Sequence, residues 1–431
     1  YNFASKDIII PDTLDGQAVT RIADGGYSTG VFTGKGLFTV QFPSTLEKAG
    51  IYAFRDNNLT SLDFTNTNIQ IIGDNAFRDN NLDYIDFSNQ DLKSIGNYAF
   101  QYNDIDSIDF AGCSSLQTIG SGAFVRNNLL TVDFASCLSL KTIGNNSFES
   151  NYSLSEIKLS GCDSLQTIGN NAFNNCALTE LNFSFCPELI TIGSGAFKNN
   201  DISVLNLQNC NRLKTISSEA FYQNALSTID LSVCDSLKTI GDGAFRSNSL
   251  SNVNISCPQL GTIGQLAFNT NNLSSLELSN CTSLAVIGRS AFAGNSLSDF
   301  ILPYHSIYSS MGWRNGDNLI LPAGTTVSLL TDFYEIPVPY TLTDDDAEVT
   351  NGIITSCSYN FVKKDIIIPD TLDGQAVKAT FDAGSYGQGL FYNKGIKTIQ
   401  FPSTIEKIGN YSLYYNPNMY KVDLSDCAKL M

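Results

Sequence analysis

One phrase recurs along most of this chain of 431 residues. The stretch CDSLKTIGDGAFRSNSL at 234–250 nearly repeats CSSLQTIGSGAFVRNNL at 113–129. Its phenylalanine returns every 23–25 residues, at positions 54, 77, 100, 124, 148, 173, 197, 221, 245, 268 and 292. A unit this short cannot bury an apolar face alone. The period of about 24 residues therefore predicts a solenoid in which neighbouring coils bury each other.

Each repeat holds a segment of the form L-x-x-L-x-L, such as LTSLDF at 59–64. Its alternating apolar and polar residues predict a half-buried strand. One strand per repeat would form a parallel sheet with neighbours about 4.8 Å apart. The segment I-G-x-x-A-F predicts a glycine turn and then a short helical piece. Its glycine indicates either positive φ or a close approach between the backbones of two coils.

Asparagine and cysteine also keep fixed positions in the repeat. An Asn stands three residues after each Phe, except where Cys176 replaces it, and we expect this Asn to bond backbone groups of the adjacent coil. Equivalent thiols of stacked coils point the same way, which disfavours disulfides, and the absence of a close C-x-x-C pair disfavours zinc. We interpret these cysteines as small buried residues. They occupy one position of the repeat eight times, and Cys427 matches it. The eight are at 113, 137, 162, 186, 210, 234, 257 and 281.

The pattern L-x-x-L-x-L-x-x-N/C resembles leucine-rich repeats. Its longer form, IG..AF..N.L..L.L..C.SL, is similar to the BspA-type repeats of bacterial surface proteins, over about residues 37–302 and again after 360. The resemblance implies an α/β fold, a right-handed leucine-rich repeat solenoid (a horseshoe) with its parallel sheet on the concave face. It also implies adhesion, because BspA-type proteins are implicated in binding host extracellular proteins such as fibronectin and fibrinogen.

An internal duplication suggests how the chain is divided. YNFASKDIIIPDTLDGQAV at 1–19 returns as YNFVKKDIIIPDTLDGQAV at 359–377, and QFPSTLEKAG at 41–50 returns as QFPSTIEKIG at 400–409. We therefore predict a capping or entry block at 1–49, a repeat array at 50–302, a small β-rich inter-array segment at 303–357, and a second, truncated array at 358–431. That arrangement predicts a longer parent protein.

Charge and composition argue against several classes of function. The net charge of −17 disfavours nucleic acids and anionic membrane surfaces, and no apolar run approaches the ~20 residues that cross a bilayer. The single histidine, His305, and the absence of hydrolase, metalloprotease or phosphate-loop motifs predict no enzyme, no cofactor and no metal. We interpret TLTDDDAEV at 341–349 as a solvated turn, with a cation site as the alternative.

The strand face carries the candidate binding site. In four successive repeats, the residue just before the last apolar residue of the strand segment is Asp. Carboxylates at this position would stack about 4.8 Å apart and repel one another. In one interpretation Ser61, Ser107, Thr131 and water satisfy them, and the row only keeps the solenoid soluble. In the other the row binds a basic partner or divalent cations. The candidate residues are Asp63, Asp83, Tyr84, Asp86, Asp106, Asp109 and Asp133.

These patterns favour a binding protein, because a solenoid offers a long surface in place of a pocket. We predict a non-enzymatic, monomeric, secreted or cell-surface module that binds a protein partner, such as an extracellular matrix protein, through its concave face, and thus an adhesin. The alternative is a structural spacer or a glycan-binding segment of a larger surface protein.

Overall fold

The structure, a computed structural model, describes residues 5–88, 91–288, 290–297, 299–301, 340–361, 364–385, 388–417, 419 and 421–430, with three short strands between 313 and 335. These residues belong to two compact units, Tyr1–Glu335 and Ile336–Met431. His305 and most of the predicted inter-array segment lie outside the described residues.

The first unit confirms the predicted parallel solenoid with a period of about 24 residues. Its L-x-x-L-x-L segments form one three-residue strand per coil. These strands pair in one sheet of three and four sheets of two, which we call the three-residue ladder. The strands are Ser61–Asp63, Tyr84–Asp86, Ser107–Asp109, Thr131–Asp133, Glu156–Lys158, Glu180–Asn182, Val204–Asn206, Thr228–Asp230, Asn252–Asn254, Ser275–Glu277 and Asp299–Ile301.

A second ladder, not predicted from the sequence, forms the longest sheet. It contains eleven parallel strands of two residues, mostly Thr-Ile, and we call it the Thr-Ile ladder. Because every coil contributes a strand, it joins the whole array into one hydrogen-bonded sheet. Its strands are Lys48–Ala49, Ile71–Ile72, Ser94–Ile95, Thr118–Ile119, Thr142–Ile143, Thr167–Ile168, Thr191–Ile192, Thr215–Ile216, Thr239–Ile240, Thr262–Ile263 and Val286–Ile287.

The segment after each glycine is a turn, and the predicted short helical piece is wrong. In one coil Ala76 N donates to Gly73 O at 3.2 Å, and Asn75 and Asp79 have φ of 54° and 55°. Two left-handed residues so close together end any helix at once. Within the described residues no helix occurs, and so none is long and apolar enough to cross a membrane.

Stacked phenylalanine rings fill the core of the first unit. The eleven repeat Phe rings from Phe54 to Phe292 lie 5.1–5.5 Å from their neighbours, with interplanar angles of 14° or less. All of them are fully buried. Offset stacking of this kind stabilises aromatic pairs beyond the area they bury. The repeat period therefore corresponds to a continuous aromatic column.

The two duplicated blocks fold alike. In each, a first strand pairs in parallel with a later one, and an Asp-Gly turn closes a short hairpin. The first block contains Asp7–Ile9, Thr13–Leu14, Gln17–Ala18 and Thr39–Gln41. The second contains Asp365–Ile367, Thr371–Leu372, Gln375–Ala376, Ala379–Thr380 and Thr398–Gln400, followed by Lys421–Asp423. The remaining strands are Trp313–Arg314, Ile320–Leu321, Tyr334–Glu335, Tyr340–Thr341, Ala347–Thr350 and Ile353–Cys357.

Candidate functional site

The predicted carboxylates lie on successive coils of the three-residue ladder. Asp63, Asp86 and Asp109 are opposite one another in the three-stranded sheet, so they share one face at a spacing of about 4.8 Å. Tyr84 lies two residues before Asp86 and shares that face. Asp133 is on the next coil, but its strand pairs with the following one, Glu156–Lys158. We call these four carboxylates the acidic row.

One oxygen of each carboxylate holds the turn that follows its strand. Oδ1 of Asp109 accepts a hydrogen bond from Ala111 N at 2.7 Å. The amide oxygen of Asn182 accepts the equivalent bond from Ser184 N at 3.1 Å in a later coil. Asp and Asn side chains stabilise turns in this way, so the turn itself selects Asp or Asn here. The same bond forms at Asp63, Asp86 and Asp133.

The hydrogen-bond partners expected from the sequence are not the ones observed. None of the hydrogen bonds that the described residues make to the acidic row involves Ser61, Ser107 or Thr131. The hydroxyl of Ser107 instead donates to Asp106 at 2.9 Å. The backbone of the following turn therefore replaces the predicted neighbours. Oδ2 of Asp86 and of Asp133 has a further partner, Tyr84 or Lys158, whereas among the described residues Oδ2 of Asp63 and of Asp109 makes no further hydrogen bond.

The row presents little compensated charge. Within the described residues the row makes one ion pair. Lys158 Nζ lies 3.7 Å from Asp133, and both side chains are about half exposed. Asp83 and Asp106 add charge in the column immediately before the strands, where Asp106 N donates to Asp83 O at 3.0 Å. Both are exposed. The face is therefore an acidic surface extending over four coils.

Tyr84 lies among these carboxylates. Its hydroxyl donates to Asp86 Oδ2 at 3.3 Å, and its side chain is partly exposed. Burial, with the negative charges of Asp86, Asp109 and Asp63, raises the pKa of Tyr84. An aromatic ring with a hydroxyl held by a carboxylate is a group that commonly anchors a protein partner.

The acidic turn at 341–349 is a hydrogen-bonded part of the second unit. Asp346 accepts bonds from the Tyr340 hydroxyl at 2.8 Å and from Thr343 N at 2.9 Å, and Asp344 accepts one from Asp373 N at 2.7 Å. Within the described residues, no group of three or more His, Cys, Asp or Glu is placed to hold a metal ion.

The structure also brings together a cationic and aromatic cluster that the sequence analysis missed. Arg55 lies 3.7 Å above the ring of Tyr27, and Arg78 and Arg126 each lie 5.6 Å from the ring of Tyr102. Arg55, Arg78, Tyr102 and Arg126 lie on the turns that follow the repeat Phe, whereas Tyr27 lies in the entry block. The recurrence of Arg and Tyr one or two residues after Phe was the sequence signal that could have identified the cluster.

The predicted Asn and Cys positions both point into the stack of coils. Asn80 Nδ2 donates to Phe54 O and Phe77 O, each at 3.0 Å, so one side chain joins two coils as predicted. The Cys side chains contact the preceding coil, as where Cys210 Sγ lies 3.4 Å from Phe183 O. In the first unit these cysteines are buried, and none of them forms a disulfide. A parallel solenoid with such Asn and Cys columns defines a leucine-rich repeat protein.

The chain belongs to the BspA-type leucine-rich repeat family of bacterial surface proteins. The family model described as BspA type Leucine rich repeat region (6 copies) matches residues 27–151, 72–203, 190–311 and 376–430, which together exceed half of the chain. No curated protein matches the chain.

The chain is also similar to three solved structures, each with a TM-score below 0.5. The functional domain of InlJ from Listeria monocytogenes, which includes a cysteine ladder, is 21% identical, with a TM-score of 0.42 over 57% of this chain and 48% of that domain. The chain thus covers about half of the InlJ domain. A leucine-rich repeat protein of Bacteroides ovatus is 18% identical, with a TM-score of 0.38 over 67% of this chain and 76% of that protein. The pneumococcal vaccine antigen PcpA is 15% identical, with a TM-score of 0.35 over 97% of this chain and 89% of that antigen.

Proposed function

We propose that this chain is a secreted or cell-surface module, without catalytic activity, that binds a protein partner through the acidic row and acts as an adhesin. The observation that supports the proposal is the in-register stack of Asp63, Asp86 and Asp109 beside Tyr84. The turn after each strand accepts Asn as well as Asp, as at Asn182. Like charges at strand spacing destabilise a sheet, so the choice of Asp in the row costs stability that a binding role would explain.

The charge of the row indicates the class of partner. A basic protein would gain long-range attraction and would lose it as salt screens the charges. Asp83 and Asp106 extend the same negative surface by one column, and Tyr84 provides an amphipathic anchor at its centre. Extracellular matrix proteins such as fibronectin and fibrinogen are the partners to test first, because the family resemblance implies them.

The experiment replaces Asp63, Asp86, Asp109 and Asp133 together by Asn. An Asn keeps the oxygen that holds the turn, as Asn182 does naturally, so the variant should fold while losing four charges. Binding to immobilised fibronectin and fibrinogen is measured at low and physiological salt. We expect the affinity at low salt to fall about tenfold or more, with a weaker salt dependence.

A matched variant tests whether the position of the charge matters. Replacing four other exposed carboxylates with Asn changes the net charge equally and should leave binding nearly unchanged. The four, none of them in a strand of the three-residue ladder, are Asp163, Asp201, Asp235 and Asp242. Equal losses in both variants would refute the row as the binding site. No saturable binding to either protein would favour the alternative, a structural spacer or glycan-binding segment.

A further inference from the structure

Two tyrosine rings of the repeat array each lie between two cationic side chains. In each set the three residues come from three successive coils, and the cationic groups lie 5.1–5.6 Å from the centre of the ring. Contacts of this kind attract a cation to an aromatic face. We call the two sets the cation-tyrosine triplets. They are Arg78, Tyr102 and Arg126, and Lys198, Tyr222 and Arg246.

Both triplets lie on one side of the first unit. Each member follows a repeat Phe by one or two residues, so all these side chains extend from the same turn of their coils. Tyr102 is 41% exposed, and Arg126 is exposed. Tyr222 and Arg246 are partly exposed. The acidic row lies on the strands of the three-residue ladder instead, so the triplets form a separate surface.

One cation of each triplet already has an acidic partner. Arg78 Nε lies 3.4 Å from Asp79 Oδ2. Lys198 Nζ lies 2.7 Å from Glu219 Oε2. In both triplets this paired cation comes from the first of the three coils. Its charge is compensated within the chain, so it is not the group that a partner would meet unpaired.

The other cation of each triplet has no acidic partner. Among the described residues the guanidinium groups of Arg126 and Arg246 make no hydrogen bond or ion pair, and Nε of Arg246 is buried. The hydroxyls of Tyr102 and Tyr222 also make no hydrogen bond there. The chain has 42 acidic and 25 basic residues, so acidic partners are in excess and yet these two groups lack one. Each triplet thus offers unpaired donors for a carboxylate.

The spacing of the triplets limits what can reach both. Five coil steps separate Tyr102 from Tyr222, and the Phe rings of these coils are 5.1–5.5 Å apart. The triplets are therefore about 26 Å apart, a distance that about eight residues of an extended chain span. The coils between them contain Glu149, which accepts a hydrogen bond from Asn174 Nδ2 at 3.1 Å. A segment that crosses these coils should thus carry its acidic residues at its two ends.

We propose that the two triplets together bind one extended acidic segment of a partner protein, with carboxylates at two places about eight residues apart. A guanidinium group binds a carboxylate through charge-assisted hydrogen bonds, and the neighbouring tyrosine hydroxyl can donate to it as well. Arg and Tyr are also residues that often anchor protein partners. Cations lie over both tyrosine rings and leave less ring surface for stacking on a sugar, which favours a polypeptide over a carbohydrate.

The first measurement uses the full chain and labelled peptides. The test peptide carries two Glu-Glu pairs about eight positions apart, joined by Ser and Gly. A second peptide has the same composition with all its Glu at one end, so it reaches one triplet at a time. We expect one test peptide to bind per chain, about tenfold more tightly than the second peptide, because it contacts both triplets. A peptide with Gln in place of Glu should not bind.

Two substitutions test the residues. Arg126→Gln and Arg246→Gln each remove one unpaired guanidinium group, and each should lower the affinity for the test peptide to about that for the second peptide. The double variant should lose binding. Its control is Lys214→Gln with Lys238→Gln, which changes the net charge equally at exposed residues elsewhere on the coils and should leave binding unchanged. Thermal unfolding should be the same in all these variants.

Three results would overturn the proposal. One is a test peptide that does not bind at low salt up to about 1 mM. Another is equal binding of the two acidic peptides, or equal losses in the double variant and its control, because the position of the triplets would then be irrelevant. The third is a heparin oligosaccharide that binds about tenfold more tightly than the test peptide and loses binding in the double variant, because the partner would then be a carbohydrate.

Discussion

Each asparagine of the repeat satisfies backbone groups of two coils. Oδ1 of Asn127 accepts a bond from Ile105 N at 3.2 Å, and its Nδ2 donates to Phe100 O and Phe124 O, each at 3.0 Å. These backbone groups are buried, and buried polar groups without partners are costly. A single side chain thereby fixes the distance between neighbouring coils.

Cys176 can replace asparagine because its coil does not need the amide oxygen. The preceding coil is longer than the other coils, because Phe173 follows Phe148 by 25 positions and the other spacings are 23 or 24. The extra residue lets Leu154 N donate to Asn151 O at 3.0 Å, where other coils use the Asn of the next coil. The thiol then only has to contact Phe148 O, at 3.4 Å.

This difference predicts unequal costs for two similar truncations. Asn127→Ala leaves the buried Ile105 N without its partner and removes one of the two bonds to Phe100 O and to Phe124 O, which keep those from Asn103 and Asn151. We therefore expect it to lower the free energy of unfolding by about 3 kcal/mol. Cys176→Ala removes one small buried group and should cost about 1–2 kcal/mol. Urea unfolding of both variants measures the costs. Equal costs would contradict the assigned role of the amide.

At the scale of the element, the glycine turn depends on close packing between coils. Gly120 has no positive φ, but a Cβ there would lie 2.5 Å from Gly96 C, nearer than real Cβ atoms approach. Of the two explanations that the sequence allowed, close backbone approach is the observed one. Ser217 occupies the same position in one coil, and nothing in the structure explains why it is tolerated.

Adding a methyl group at this turn should therefore destabilise the array. At Gly144 a Cβ would lie 2.6 Å from Gly120 C, so we expect Gly144→Ala to cost about 1–3 kcal/mol. Gly261→Ala is the control, because the nearest atoms there are 3.8 Å away and its φ is not positive. Thermal unfolding should separate the two variants, and a harmless Gly144→Ala would refute this account.

The repeat could be predicted from the sequence, but the form of its turn could not. Phe, Asn and Cys each recur at one position of the repeat with a regular period, and that regularity predicts the solenoid. The left-handed position two residues after the glycine often holds Gly or Asn, as at Gly122 and Asn146, but Tyr98 and Leu266 also occupy it, so its residue signal is weak. The two-residue strands of the Thr-Ile ladder are too short for an alternation to reveal them.

The acidic row was located from the sequence, but the bonds of its carboxylates were not. Alternation along the strand placed Asp86 and Asp109 on one face. Their partners are backbone N–H groups two residues further on, Ser88 N and Ala111 N, which the side-chain pattern does not reveal.

At the scale of the whole molecule, the cysteine column adds equal small effects from many coils. Burial raises the pKa of Cys137, Cys186, Cys210 and Cys234 from 9.0 to about 12. The unfolded chain releases these thiol protons near pH 9 while the folded chain still holds them. Stability is therefore complete below pH 9 and declines as the pH rises towards 12.

Removing one thiol should make that decline less steep. Each buried thiol contributes up to about 1.4 kcal/mol per pH unit to the slope between pH 9 and 11, so Cys186→Ala should lessen the slope by about that amount. Leu189→Ala, at a buried apolar residue of the same coil, is the control: it should lower stability at every pH and leave the slope unchanged. Denaturant unfolding at pH 8, 9, 10 and 11 measures both. Equal slopes in the wild type and Cys186→Ala would show that the thiol ionises as readily in the folded chain as in the unfolded one.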